Sequence, residues 1–313
     1  MSDNNRLGVF KTYKLYVGGK FPRSESGRVY EVTTKTSAAG TAGKGQWLAN
    51  APQSSRKDAR DAVVAARKAF GGWSGATAYN RGQVLYRVAE MLEGRKEQFV
   101  REVAASEGLS KSKAAAAVDA AIDRWVWYAG WTDKIGQIAG GANPVAGPFF
   151  NLSTPEPTGV VAVLAPQKSS LLGLVSAIAP VIATGNTAVV IASADAPLPA
   201  LSLGEVLATS DVPGGVVNIL SGVTAEIAAP LAAHQDVNAI DLTGADAELA
   251  KELEIAAADN LKRVLRPQPV DTDGASDSED WLASPGTHRL TAFLETKTVW
   301  HPTGALGAAG SSY

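Results

Sequence analysis

The sequence contains no cysteine. That single absence excludes disulfide cross-links, thiolate metal sites and thiol nucleophiles together. Histidine is scarce as well: His234, His288 and His301 are the full set, and their spacing fits no imidazole-bound metal. An excess of charge of one sign is also missing. Twenty-nine Lys and Arg against 31 Asp and Glu leave a net charge of -2, with no basic cluster dense enough to follow a phosphate backbone, so nucleic acid is excluded as a partner. The apolar runs are interrupted by Pro, Gly and Thr well short of the roughly 20 residues that a bilayer span requires. The opening residues, MSDNNRLGVFKTYKLY, hold no apolar stretch of signal-peptide length. The expectation is a cytoplasmic protein that makes no membrane contact.

What is present is a chain of 313 residues, 45% hydrophobic and 19% charged, long enough for one large domain or two modest ones with a real core. Its organising stretch is EPTGVVAVLAPQKSSLLGLVSAIAPVIATGNTAVVIA, from Glu156 to Ala192. Val160 to Leu164 and Thr187 to Ile191 are short apolar runs; between them lies a longer apolar segment broken by Pro180 and closed by Thr184-Gly185-Asn186. That order reads as strand, helix, strand, and strands with no polar face belong to a parallel sheet covered on both sides. The alternation continues with helical patterns at 199–208, 224–233 and 246–258 between strand patterns at 216–220, 239–242 and 263–265. Right-handed crossovers and an open Rossmann-like α/β sheet follow, closing near Arg266.

Ahead of this unit, KLYVGGK (14–20) reads as a hairpin-like entry with a Gly-Gly turn. Ser55 and Asp58 have capping-box spacing before apolar residues at Ala59, Ala62, Val63, Ala66 and Phe70, which predicts an amphipathic helix ending at Gly71-Gly72. Further helices are expected at 81–93 and 95–107 around Gly94, with Gly108 as a stop and Ser110 as the next start. Val118, Ile122, Trp125 and Ala129 then recur at helical spacing, and that stripe is read as core packing rather than a ligand platform. Beyond Arg266, the run PQPVDTDGASDSEDWLASPG has linker chemistry and no ordered spacing of metal ligands. RLTAFLETKTVW, from Arg289 to Trp300, reads as a last strand.

Several of these motifs fall in register with one family. Glu156-Pro157-x-Gly159-Val160-Val161 before the first strand, Pro166 just after it, Ala183-x-Gly185-Asn186-Thr187 entering the second, and Glu295-x-Lys297-Thr298-Val299 in the tail resemble the aldehyde dehydrogenase superfamily. The resemblance implies an α/β fold with N-terminal helices. It also implies that the catalytic domain is missing between Arg266 and the tail, while the C-terminal oligomerisation strand is retained. The expected division is a degenerate dinucleotide-binding domain over 1–266 that includes an oligomerisation hairpin at 149–163, a flexible acidic linker over 267–287, and an oligomerisation strand and tail over 288–313. The Lys11 to Tyr16 entry and the Phe21 to Gly27 run look like the start of the second, cysteine-free unit of the branch in which two such units are joined.

Each functional position of the family can then be compared with this chain. After the first strand, where the resemblance implies Pro-Trp-Asn with an oxyanion-stabilising amide, stand Pro166, Gln167 and Lys168, and a lysine presents no amide there. The Lys and Glu that would grip ribose hydroxyls are replaced by Ile191 and Ala194. Of the Gly-x-Gly turn after the third strand only Gly222 remains, and the Phe-Thr-Gly-Ser turn becomes Leu242-Thr243-Gly244-Ala245. The general-base position falls at about Pro267, which accepts no proton, and the nucleophilic cysteine is absent. No catalytic, cofactor or metal residue is therefore assigned.

The leading expectation is a non-catalytic partner of a catalytic aldehyde dehydrogenase subunit. It would bind no cofactor and dock through Phe149, Phe293, Glu295, Lys297, Val299 and Trp300, with the tail strand unpaired in its own chain and crossing to the neighbour. Two alternatives stand beside it: an oxidoreductase of the family with residual NAD binding, and a stand-alone scaffold that pairs with a second copy of itself.

Overall fold

An antiparallel ribbon of β1 (Val29–Thr33) and β2 (Trp47–Pro52) leads into the long helices of the chain, in a computed structural model that describes residues 9–35, 45–266 and 280–303. The turn at Gly18 and Gly19 has positive φ at both residues and joins Val17 to Lys20. The capping box forms as its spacing predicts: Ser55 Oγ accepts from the amides of Lys57 and Asp58, and the Asp58 carboxylate accepts from Ser55 N at 2.8 Å. It opens α1 (Arg56–Gly75), which runs past the expected stop at Gly71-Gly72. Trp73 is the reason. It is buried, and its indole N–H reaches the carbonyl of Ile182 at 2.9 Å, so one more helical turn is fixed by packing.

Helices α2 (Ala78–Glu93), α3 (Lys96–Glu107) and α4 (Lys111–Trp131) follow, broken at Gly94 and at Gly108, whose φ of 71° is the left-handed cap a glycine favours. Trp125 and Tyr128 are fully buried between them, which makes the aromatic stripe core. A short α5 (Ile135–Ile138) leads to β3 (Gly141–Asn143) and β4 (Phe149–Pro157). Then come β5 (Val160–Leu164), α6 (Leu172–Ala183), β6 (Thr187–Ile191), α7 (Leu198–Ala208), β7 (Val217–Leu220), α8 (Thr224–Ala232), β8 (Ala239–Asp241), α9 (Ala247–Ala258) and β9 (Arg263–Leu265). These five strands form one parallel sheet in the order β7-β6-β5-β8-β9, and every residue of β5, β6, β7 and β8 is buried. Strand order reverses between β5 and β8, the crevice where open α/β sheets bind ligands.

The described residues close with α10 (His288–Thr291) and β10 (Leu294–Pro302), and here three expectations are corrected. The hairpin is not 149–163: β3 pairs with β4, while Val160–Leu164 is an inner strand of the parallel sheet, because its unbroken apolar run can be buried only there. The tail strand does not stand unpaired. β10 pairs antiparallel with β4 of the same chain over nine positions, from Leu294 opposite Pro157 to Pro302 opposite Phe149, giving a three-stranded sheet β10-β4-β3. Residues 280–291 are neither free linker nor strand. Arg124 of α4 donates to the carbonyls of Trp281 and Ala283, and Arg289 and Leu290 are buried on one side of the α10 turn. The remainder of the expected linker, 267–279, lies outside the described residues, and so does Pro267.

Candidate functional site

The cleft at the carboxyl ends of β5, β6 and β8 has a volume of about 620 Å³. Gln167, Lys168, Ala194, Gly222, Gly244 and Ala245 border it, so most of the positions singled out in the sequence meet on one wall or another. Two do not. Ile191 is fully buried in the apolar layer shared with Leu15, Ala62 and Ile227, and Pro166 lies beneath the cleft surface, where it would collide with any side chain at Gly173.

Gln167 is spent on structure. Its Nε2 donates to Ala165 O at 2.8 Å, its Oε1 accepts from Ala194 N at 3.0 Å, and its carbonyl accepts from Ser193 Oγ, so the loops after β5 and β6 are strapped together. The two glycines are demanded by close approach. A Cβ on Gly244 would lie 2.0 Å from the carbonyl oxygen of Ala165, and Gly222 has φ +140° against the backbone of Ser54. The turn they leave between β8 and α9 is held from outside the cleft. Asp241 Oδ1 accepts from Thr243 N at 2.9 Å, and Arg289 of the tail donates to Asp241 Oδ2 at 2.9 Å and to Thr243 Oγ1 at 3.0 Å. Arg289 is 4% exposed and Asp241 0%, a fully desolvated pair.

Sequence reasoning missed several residues here. Tyr30 of β1 borders the cleft 137 positions before Gln167 does, a proximity no local pattern encodes. Burial pushes its phenol well above the usual range, and Asp195 opposite adds to the shift. Asp195 itself pairs with Lys35 at 3.4 Å. Glu107, at the end of α3, accepts from both Ser170 N and Ser170 Oγ beside the same loop, and its burial raises its carboxyl above the ordinary value. Asp241 did carry a signal: a carboxylate inside an otherwise apolar strand requires a partner. Among the described residues no group of three or more His, Asp and Glu could hold a metal ion, and no helix is long and apolar enough to cross a membrane.

The docking positions divide. Phe149 and Trp300 stack edge to face with ring centroids 5.8 Å apart, and Trp300 is 56% exposed. Glu295 and Lys297 are exposed but already paired, with Arg263 and with Glu156, and Val299 is half-buried. Phe293 is 2% exposed and its carbonyl accepts from Thr158 N and Asn186 Nδ2, so it anchors the tail to its own chain and offers nothing to a partner.

A doubly wound parallel sheet with a cleft at its switch point, flanked by a separate three-stranded sheet, defines a Rossmann-like α/β domain with an attached ribbon. The model of the aldehyde dehydrogenase family matches residues 31–266, and the chain belongs to that family. It is 34% identical to retinal dehydrogenase 2 of Gallus gallus over 263 residues, which cover 81% of this chain and 48% of the relative. It is 30% identical to an aldehyde dehydrogenase of Aspergillus niger over 251 residues, 80% of this chain and 48% of that one. Among solved structures, the NAD+ complex of aldehyde dehydrogenase from Bacillus cereus superimposes with a TM-score of 0.74 at 26% identity, covering 81% of this chain and 50% of the other. The chain thus spans about half the length of the relatives it matches.

Proposed function

We propose that this chain is a non-catalytic subunit of an aldehyde dehydrogenase assembly, a structural or regulatory partner of a catalytic NAD(P)-dependent subunit. The observation that carries the reading is the sheet β10-β4-β3. Of its 21 residues only Asn151 and Leu294 are buried, while Phe150 is 46% and Trp300 56% exposed. Three strands that bury two side chains between them and, among the described residues, leave the nine-residue outer edge of β10 without a partner strand lack a core of their own and would form a template for another chain. The cleft supports the same reading from the other side. Ile191 points into the core and Ala194 has no polar side-chain atom, so a dinucleotide finds no side-chain grip on its ribose there, and the chain supplies no thiol. The residues at these two positions do not fit the ribose of NAD.

The test is affinity purification of the tagged full chain from its host, with quantitation of what co-elutes. A cysteine-bearing aldehyde dehydrogenase at fixed stoichiometry is expected; a monodisperse chain or homodimer with no such subunit sinks the reading. Aldehyde turnover by the isolated chain, surviving a second tagged purification, sinks it too.

One observation favours a second reading, an oxidoreductase of the family that retains nucleotide binding. The cleft is open, stands at the switch point, and keeps Gly222 and Gly244. Calorimetric titration with NAD separates the two: a micromolar dissociation constant supports the second reading, and no heat supports the first.

A further inference from the structure

The cleft wall at residues 241–246 is completed by the C-terminal segment. Thr243, Gly244, Ala245 and Asp246 border the cleft, and the carboxylate that organises them is paired with a cation from outside the Rossmann-like sheet. Asp241 is a charged residue planted at the buried end of β8, and its Oδ1 holds both the amide and the hydroxyl of Thr243. The cation that answers it comes from 48 positions further on. Arg289 reaches Asp241 Oδ2 with one nitrogen and Thr243 Oγ1 with the other, a fork geometry that lysine does not reproduce. Its guanidinium lies 5.3 Å from the Trp281 ring, and the Trp281 carbonyl is in turn held by Arg124. Four residues beyond Arg289, Phe293 fixes the start of β10 through its carbonyl.

We propose that Arg289 is a positioning residue for the cleft: carried by the tail, it fixes the turn from Asp241 to Ala245, so the cleft has its shape only while the tail is docked. The inference concerns the shape of the cleft wall alone and holds under either reading of the Proposed function; it requires neither a partner nor bound NAD. It implies that the β10 sheet and the cleft wall share one rigid connection, six residues long, from Arg289 to Leu294, the first residue of β10.

A merely structural role would consist of neutralising Asp241, and the test separates that from positioning. Amide hydrogen exchange is followed in the full chain, in Arg289→Met, in Arg289→Lys, and in the double variant Arg289→Met with Asp241→Asn. The reporters are the amides of Thr243, Gly244 and Ala245, bonded to Asp241 Oδ1, Leu164 O and Leu242 O. The references are the amides of β5 and β6. Arg289→Met is expected to speed exchange at the three reporters at least tenfold more than at the references, with Arg289→Lys intermediate. The double variant, which has no buried charge to leave unpaired, is expected to recover reference protection and melting temperature but not the reporters. If it restores the reporters too, or if Arg289→Met leaves them at wild-type rates relative to β5 and β6, the positioning role is overturned. Neither result depends on whether a catalytic partner or NAD binds, so failure here leaves the Proposed function standing.

Discussion

Deleting Arg289 to Tyr313 is expected to unfold the Rossmann-like core rather than release it intact. Removing Arg289 leaves the Asp241 carboxylate buried and uncompensated, and breaking a desolvated pair by taking one partner costs about 3–5 kcal/mol. Phe293, 2% exposed, and Leu290, 1% exposed, each forfeit about 1.5–3 kcal/mol of apolar burial. Thr158 N and Asn186 Nδ2 lose the Phe293 carbonyl, a further 1–3 kcal/mol or so for buried donors left without an acceptor. The losses approach about 10 kcal/mol, against a total stability of about 5–15 kcal/mol for a typical domain. The assay is urea denaturation of the full and truncated chains followed by far-ultraviolet circular dichroism. The truncated chain should show no cooperative transition, or one displaced to a fraction of the full chain's midpoint at similar slope. A truncated chain with the midpoint of the full one would refute the view that the tail is part of the core.

Trp125→Ala empties a fully buried site between α4 and its neighbours and should cost about 3–5 kcal/mol by urea melt, with Trp125→Phe milder. Gly244→Ala places a methyl 2.0 Å from the Ala165 carbonyl oxygen, so the backbones must part; a loss of about 1–3 kcal/mol is expected, and an unchanged melting temperature would contradict the contact. Glu107→Gln tests the raised carboxyl. Because burial holds the folded pKa above the unfolded value of about 4.3, Glu107 favours the folded state at low pH and loses that contribution as pH rises through the folded pKa. A Gln retains an acceptor for Ser170, so its stability relative to wild type should rise from about pH 4 upward and then level off; parallel pH profiles would remove the burial argument.

The parallel sheet was legible because burial on both faces leaves a direct mark on composition: Val160 to Leu164 and Thr187 to Ile191 have no polar residue to place outside except Thr187, itself buried. The capping box and the Gly108 stop were legible for local reasons, since their partners lie within four residues. The failures are of the opposite kind. α1 overran its glycines because Trp73 finds Ile182 109 positions away. The tail was misjudged because its strongest tie joins Asp241, whose apolar strand signals the need for a partner, to Arg289, which nothing in the sequence names as that partner. The cleft was located through family motifs, but Tyr30 and Asp195 border it, and Glu107 holds Ser170 in the loop beside it, through tertiary contacts that no spacing rule contains.

The intrachain pairing of β10 alters how docking on a partner would work. A tail strand on a loose tether would have to be ordered at the moment of binding, and fixing nine residues costs on the order of 10 kcal/mol at about 1–2 kcal/mol each. Here that ordering is already met by β4, by the Lys297–Glu156 and Arg263–Glu295 pairs, and by the burial of Phe293. What remains for a partner is a preformed edge and the Phe149–Trp300 pair beside it, a surface whose affinity is limited by desolvation and fit rather than by chain entropy. The same rigidity carries a constraint. An element tied into the core through Arg289 resists withdrawal from its own chain to complete a sheet elsewhere, so under the proposed function a partner would add strands to the edge of β10 rather than exchange it.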